Sequence, residues 1–343
     1  MAEHPPVFIV GTGRCGSTLM SKLIHRHKDI LSLSEVFTTF TTKAFVSRQL
    51  DGVAFWKMLN HASPVLRKSI TPKTSPAEFT YPLGPCDRYG LDDLPACLMM
   101  TLPHLSEHPD ALHAELRPVI EARPRAPLAD QYRFWFDWLT VRHGKTMWIE
   151  RTGSSLTMVK AITRVFPDAK FVHIHRDGRE TALSMRAFQP MRVFLHMRNR
   201  LKTFGIDILR TPFRYSDSRV IYWLAPMIER FTPAERFLET EPSLSEVGQF
   251  WSDMVAVGMT DLAKIPAHRV HTVKYADLVS APRQTLTAFL DFAAPGLSQD
   301  TWLDDVSSIP QGRPPAWKAL TSKDQETLAR AVAKGQSRLG YSG

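Results

Sequence analysis

Three stretches of this 343-residue chain carry residue types whose spacing suits chemistry on an anion. The first is Val7-Phe8-Ile9-Val10-Gly11-Thr12-Gly13-Arg14-Cys15-Gly16-Ser17-Thr18, an apolar run feeding a glycine-rich turn and then a helical pattern. Such a turn cradles phosphate with backbone N–H groups at a helix N-terminus, so it depends on Gly11, Gly13 and Gly16 and on no side chain. In the nucleoside-triphosphate version a lysine after the last glycine reaches the β and γ phosphates, and the next Ser or Thr holds magnesium. Ser17 stands at that lysine position, while a positive charge has moved into the loop as Arg14. The anion cradle survives and the γ-phosphate device does not, which points to another phosphorylated donor.

The second stretch, Lys170 to Met185, repeats the logic: a strand ends in Arg176, a turn holds Asp177 and Gly178, and a helix carries Ser184. An arginine at a strand's carboxyl end and a hydroxyl two helical turns later can converge on one phosphate. The plainer alternative is an arginine beside Asp177 and a solvent-facing serine. The third is Ile30-Leu31-Ser32-Leu33-Ser34, a strand pattern that places Glu35 at the same carboxyl edge as the loop, where a carboxylate can take a proton as general base. Its plainer alternative is a cap on the helix starting near Val36. For Ser17 and Thr18 that alternative is ordinary helix capping, which is compatible with binding.

These residues need a frame. Short apolar runs at Val7–Val10, Ile30–Leu33, Thr146–Ile149, Lys170–Ile174 and Val270–Val273 read as buried parallel strands, with helices expected over Ser17–His27, Leu156–Phe166 and Ala281–Phe292. The alternation predicts an α/β fold, a doubly wound, mostly parallel sheet with helices on both faces. Residues 50–135, rich in proline and aromatics, predict short helices joined by turns. Residues 186–245, rich in Met, Phe and Arg, predict helical insertions over the sheet's carboxyl edge, where ligands bind in such folds.

Composition sets the outer bounds. With 43% hydrophobic residues the chain can bury a large core. Cys15, Cys86 and Cys97 have neither metal-ligand spacing nor disulfide density, so a reducing, cytoplasmic location is expected, without a signal peptide or bilayer-spanning segment. A net charge of +9 favours anionic ligands. No zinc finger, basic zipper or RNA-binding signature accompanies it, so no nucleic-acid partner is expected. Arg192, Arg198, Arg200, Lys202, Arg210, Arg214 and Arg219 are interleaved with apolar residues. They are read first as a solvated basic face, and second as a surface for an acidic acceptor or a peripheral membrane contact. His173 and His175 share a strand face and are read as core groups.

Taken together, the modified loop and a strand-Arg-Asp-Gly-Arg segment with a serine eight positions after the arginine resemble the sulfotransferases that use 3′-phosphoadenosine-5′-phosphosulfate. His271-Thr272-Val273-Lys274-Tyr275-Ala276-Asp277-Leu278 is similar to that family's late strand and Tyr-x-Asp-Leu turn, and Gly312-Arg313-Pro314-Pro315-Ala316-Trp317-Lys318 sits where the family carries a C-terminal loop over the donor. The likeness covers roughly residues 6–40, 145–190 and 268–320. Cys15 replaces the commoner loop serine, Arg151-Thr152-Gly153 stands where many members have Lys-Thr-Pro, and the long Arg-Lys-Gly run is reduced to Gly312-Arg313.

The resemblance implies a sulfotransferase fold related to that of the P-loop nucleoside-triphosphate hydrolases, formed by one domain over 1–343. The insertions 50–135 and 186–245 would supply the acceptor-binding and lid region. It implies sulfonate transfer from 3′-phosphoadenosine-5′-phosphosulfate to a hydroxyl, less favourably an amine, of a small molecule, glycan or glycolipid. The released product is adenosine 3′,5′-bisphosphate, and no metal is required. It implies Arg14 and Arg151 as catalytic cations and Glu35 as base, in the spacing of the tyrosylprotein and Golgi-type branch. Gly13, Arg14, Cys15, Gly16, Ser17 and Thr18 would hold the 5′ end, Arg176 and Ser184 the 3′-phosphate, and Gly312, Arg313 and Trp317 the closing loop. Ser154 and Ser155 are added as hydroxyl donors. The rival readings are a magnesium-dependent P-loop kinase and a non-catalytic nucleotide-binding relative.

Overall fold

Among the described residues seven strands form: β1 (Val7–Val10), β2 (Ile30–Ser34), β3 (Gln49–Leu50), β4 (Ala126–Pro127), β5 (Met147–Arg151), β6 (Lys170–His175) and β7 (Val270–Lys274). The computed structural model describes residues 4–40, 44–45, 49–62, 66–67, 78–84, 88–209, 233–297 and 300–341. Five strands make a parallel sheet in the order β2-β5-β1-β6-β7, and β3 and β4 make a small antiparallel pair. The predicted doubly wound α/β fold is what the chain adopts.

The apolar runs become strands because both sheet faces are covered, and successive side chains point to opposite faces. In β1, Val7 and Ile9 face a core with Met20, Leu23 and Ile24 of the helix Ser17–His25 and with Phe289 of the helix Pro282–Ala293. Phe8 and Val10 face a second core with Phe37, Trp135 and Phe166. The rings of Phe8 and Phe166 lie 5.1 Å apart.

Most boundaries shift by one or two residues, and two of the differences bear on the site. Strand β5 runs to Arg151 rather than Ile149, because buried Glu150 and Arg151 continue the ladder against β1 and β2 after the apolar run has ended. The expected helix Leu156–Phe166 opens as a 3-10 turn, Ser155–Met158, before the α-helix Val159–Val165.

The proline-rich stretch is helical, with Gly52–Asn60, Ala96–Met99, Thr101–Leu105, Pro109–Glu121 and Leu128–Arg142. Its Phe55, Trp56, Tyr132 and Trp135 share one core with Phe8 of the central sheet. Beyond β6, the helices Gly178–Ala187, Gln189–Lys202, Leu244–Leu262 and Ser322–Arg338 enclose a third core around Trp251.

The solvated reading of the basic stretch fails at Arg198. This side chain is buried and forks to Asp207 (Nε to Oδ1, 2.9 Å; Nη2 to Oδ2, 2.8 Å) and to Asp253 (2.6 Å). Its partners lie on a turn and on another helix, so spacing along its own helix did not reveal them. Arg192 also turns inward, onto the carbonyl oxygens of Arg186 and Leu238. Arg200 is exposed, whereas Arg210, Arg214, Arg219 and Cys86 lie outside the described residues. Among the described residues no helix is long and apolar enough to cross a membrane.

Candidate active site

The loop after β1 carries three left-handed residues: Gly13 at φ 77°, Arg14 at φ 57° and Gly16 at φ 102°. Gly16 leads directly into the helix Ser17–His25, whose first N–H groups lack intrahelical partners. A side chain at Gly16 would drive its Cβ to 2.4 Å from the Tyr275 ring, and one at Gly11 to 2.6 Å from the Cys15 sulfur. The glycines therefore serve close packing as well as the turn. Cys15 is buried inward, its thiol pushed up by desolvation, so it supports the loop from behind.

Left-handed non-glycine residues are uncommon and cost of order 1–3 kcal/mol each, and they cluster at functional sites. Among the described residues there are three, Arg14, Glu35 and Ser154, and each follows a strand of the sheet at its carboxyl edge.

Arg14 reaches across to the second segment. Its Nε donates to Ser184 Oγ at 3.0 Å, and its guanidinium carbon lies 4.8 Å from the centre of the Phe188 ring. Two residues 170 positions apart are thus brought together at one edge. Arg176 lies 4.7 Å over the ring of Tyr275, the same ring that packs on Gly16, and pairs with Glu180 at 2.9 Å. Glu180 also accepts from the Trp317 backbone N–H at 3.0 Å, which ties the C-terminal loop to the helix that follows Arg176. Trp317 stacks under Arg179 at 3.9 Å, while Gly312 and Arg313 are exposed. Sequence reasoning did not single out Tyr275, Glu180 or Arg179 individually. The only available signal was their position inside motifs already marked.

Glu35 and Arg151 lie together as a buried ion pair at the ends of β2 and β5. Arg151 Nη1 donates to Glu35 Oε1, and Nη2 donates to Ser34 Oγ at 3.0 Å. Glu35 Oε2 accepts from Thr38 Oγ1 at 2.6 Å and from the Gly153 N–H at 3.0 Å. These donors account for three of about four acceptor positions on a carboxylate. Ser154 and Ser155 turn toward the backbone: Ser154 Oγ donates to Thr12 O at 3.2 Å and Ser155 Oγ to Ile9 O at 3.3 Å. In this geometry they fasten the β5 loop to the β1 loop rather than presenting free hydroxyl donors.

Thr18, expected at the 5′ end of a donor, donates from Oγ1 to Glu78 at 2.7 Å, a residue of the first insertion that sequence reasoning missed. Ser17 is buried at the helix start. Beneath the ion pair, Glu150 is buried and its pKa is pushed up to about 8, chiefly by desolvation, with the Thr152 hydroxyl donating to it. His173 and His175 are held at about 3 and about 4, mainly by burial, in accord with core groups. Among the described residues no group of three His, Cys, Asp or Glu is placed to hold a metal ion.

The site thus offers a strained glycine loop at a helix N-terminus, Arg14, Arg151 and Arg176 along one sheet edge, and a carboxylate beside the Arg151 guanidinium. This arrangement suits an extended anion and a proton acceptor.

Comparison with known proteins bears on the middle of the chain. Residues 106–239 match the model of the sulfotransferase family, a span that holds Arg151, Arg176 and Ser184 but not the loop with Arg14. No curated protein matches. Among solved structures, the sulfotransferase domain from the curacin biosynthetic pathway is 14% identical, with a TM-score of 0.46, over 100% of this chain and 99% of that one. The sulfotransferase domain of the Synechococcus PCC 7002 olefin synthase is 16% identical, with a TM-score of 0.47, over 100% and 96%. Sulfotransferase STF9 from Mycobacterium avium is 14% identical, with a TM-score of 0.46, over 99% and 78%.

Proposed function

From the match of residues 106–239 to the model of the sulfotransferase family, we propose that this chain transfers a sulfonate from 3′-phosphoadenosine-5′-phosphosulfate to a hydroxyl acceptor. The observation that carries the reading is the contact of Arg14 with Ser184, because it joins the β1 loop to the helix after β6 into one anion-binding edge. In this reading Gly13, Cys15, Gly16, Ser17 and Thr18 hold the 5′ end through loop N–H groups and hydroxyls. Arg176 and Ser184 hold the 3′-phosphate, and Gly312, Arg313 and Trp317 close over the nucleoside.

Sulfonyl transfer needs positioning and charge stabilisation more than covalent help from the protein. The acceptor oxygen attacks sulfur in line, the bond from sulfur to the bridging phosphate oxygen breaks, and the acceptor proton passes to Glu35. Negative charge then grows on adenosine 3′,5′-bisphosphate, where Arg14 and Arg151 stabilise it. The left-handed backbone of Glu35 and its pairing with Arg151 support this assignment, since they fix the carboxylate beside a cation at the sheet edge. We assign the chain to a single domain, with 50–135 and 186–245 as acceptor-side insertions, a glycan, glycolipid or small molecule as acceptor, and the cytoplasm as its place.

The test is thermal stabilisation of the chain by adenosine 3′,5′-bisphosphate, compared with ATP plus magnesium and with adenosine 5′-monophosphate. A ligand that binds the native state at about 100 times its Kd adds about 2.7 kcal/mol. The bisphosphate is expected to raise Tm most, and Arg176→Ala to remove most of that rise. Equal responses to all three nucleotides would defeat the proposed donor.

A further inference from the structure

Glu78 stands where an anion binder should not want a carboxylate. It belongs to the 50–135 insertion, yet it accepts the Thr18 hydroxyl at 2.7 Å and lies 3.9 Å from Arg151 Nη1. Its side chain is only 13% exposed, so it is held within the site rather than passing over it. Thr18 is the second residue of the helix that opens at the β1 loop, and Arg151 already pairs with Glu35. Arg151 thus has two carboxylates around it, one from β2's end and one from the insertion.

The two contacts of Glu78 are those that a bound phosphate or sulfonate oxygen would make: a hydroxyl at a helix N-terminus and a guanidinium. Both cannot be satisfied by the carboxylate and by a donor at once, since two anions in contact repel each other. We propose that Glu78 is a donor-site surrogate: it occupies the place of the donor's 5′-phosphosulfate at Thr18 and Arg151, and donor binding displaces it. Because Glu78 is carried by the insertion assigned above to the acceptor side, its displacement couples donor entry to the acceptor pocket. The proposal rests on the donor reading of the β1 loop.

The experiment measures affinity for two probes, adenosine 3′,5′-bisphosphate and inorganic pyrophosphate, in wild type, E78Q, T18V and the double variant. Losing the competing charge is expected to tighten both probes about tenfold in E78Q. In the T18V background the gain is expected to shrink to less than half, because the hydroxyl that seats the carboxylate is gone. E78D, which keeps the charge but withdraws it by one methylene, is the second reading should E78Q fail to fold, and it is expected to tighten both probes by a smaller factor.

Unchanged or weaker binding in E78Q or E78D would overturn the proposal, as would a full gain that persists with T18V. A wild-type chain that ignores the bisphosphate would sink the donor reading alone. The pyrophosphate series still reports on Glu78 in that case.

Discussion

Glu35 keeps a left-handed backbone at φ 58° although it is not a glycine, and its carboxylate is shared among Arg151, Thr38 and the Gly153 N–H. The choice of variant follows from that environment. Glu35→Ala would leave the buried Arg151 guanidinium without its nearest carboxylate, at a cost of about 3–5 kcal/mol, so lost activity could simply be lost folding. Glu35→Gln removes the same charge but keeps the shape and an acceptor oxygen for the guanidinium, so it takes away the basic group with less disruption. The expected outcome is a loss of transfer of about 100-fold or more, the usual worth of a general base, with stabilisation by adenosine 3′,5′-bisphosphate retained. Turnover at the wild-type rate in Glu35→Gln would remove Glu35 from that role. At this scale the sequence was legible in placement, since Arg14 meets Ser184 and Arg151 meets Glu35 at the sheet's carboxyl edge. It was silent on Glu78, which lies 60 positions from the Thr18 it meets. No periodicity or cap signal links the two.

Strand β5 shows how a structural element and a site share one segment. Met147 and Ile149 face one core and Trp148 the other, so the strand is specified by burial on both sides. Glu150 points the same way as Trp148, opposite Phe8 and Leu33 on the neighbouring strands. Burial there holds its carboxyl protonated to about pH 8. The sign of the consequence follows from linkage. The folded group keeps a proton that the unfolded chain releases above about 4.5, so its contribution to stability is full below that pH and falls as pH rises toward 8. Glu150→Gln removes this loss, so the Tm difference between variant and wild type is expected to grow in the variant's favour from pH 5 to 8 and then level off. A difference that stays flat across that range would mean Glu150 is already ionised in the fold. The same residue explains why the sequence ended this strand early. A rule that looks for apolar runs stops at Ile149, whereas the ladder runs on through Glu150 and Arg151 to the sheet's carboxyl edge.

Across the whole molecule, the edge proposed to bind the donor is flanked by helices that approach one another through glycine. Gly178 opens the helix that follows Arg176, Gly335 lies in the C-terminal helix, and Trp251 of the helix Leu244–Leu262 packs between them. A Cβ at Gly178 would come within 2.4 Å of the Trp251 ring, and one at Gly335 within 2.5 Å of it and 3.0 Å of the Ser252 backbone. Gln336 completes the seam, accepting from the Gly178 N–H at 3.2 Å and donating to Asp177 at 3.3 Å. The parallel sheet was foreshadowed by strands alternating with helices, but this seam was not, because a glycine within a helical pattern gives no sign of what it touches. Two effects compete at Gly335. Helix propensity alone says that Ala stabilises a helix interior by about 1 kcal/mol relative to Gly. Overpacking against an indole and a backbone atom costs about 1–3 kcal/mol, and Trp251 is buried. Packing should win, so Gly335→Ala is expected to lower Tm and, through the Gly178 helix, to weaken adenosine 3′,5′-bisphosphate binding. An exposed glycine such as Gly340, with no atom within 4 Å of its would-be Cβ, provides the contrast, although its φ of 72° still disfavours Ala. If Gly335→Ala instead raised Tm, the close approach of the three helices would be refuted, and with it the account of how the C-terminal helix positions Arg176.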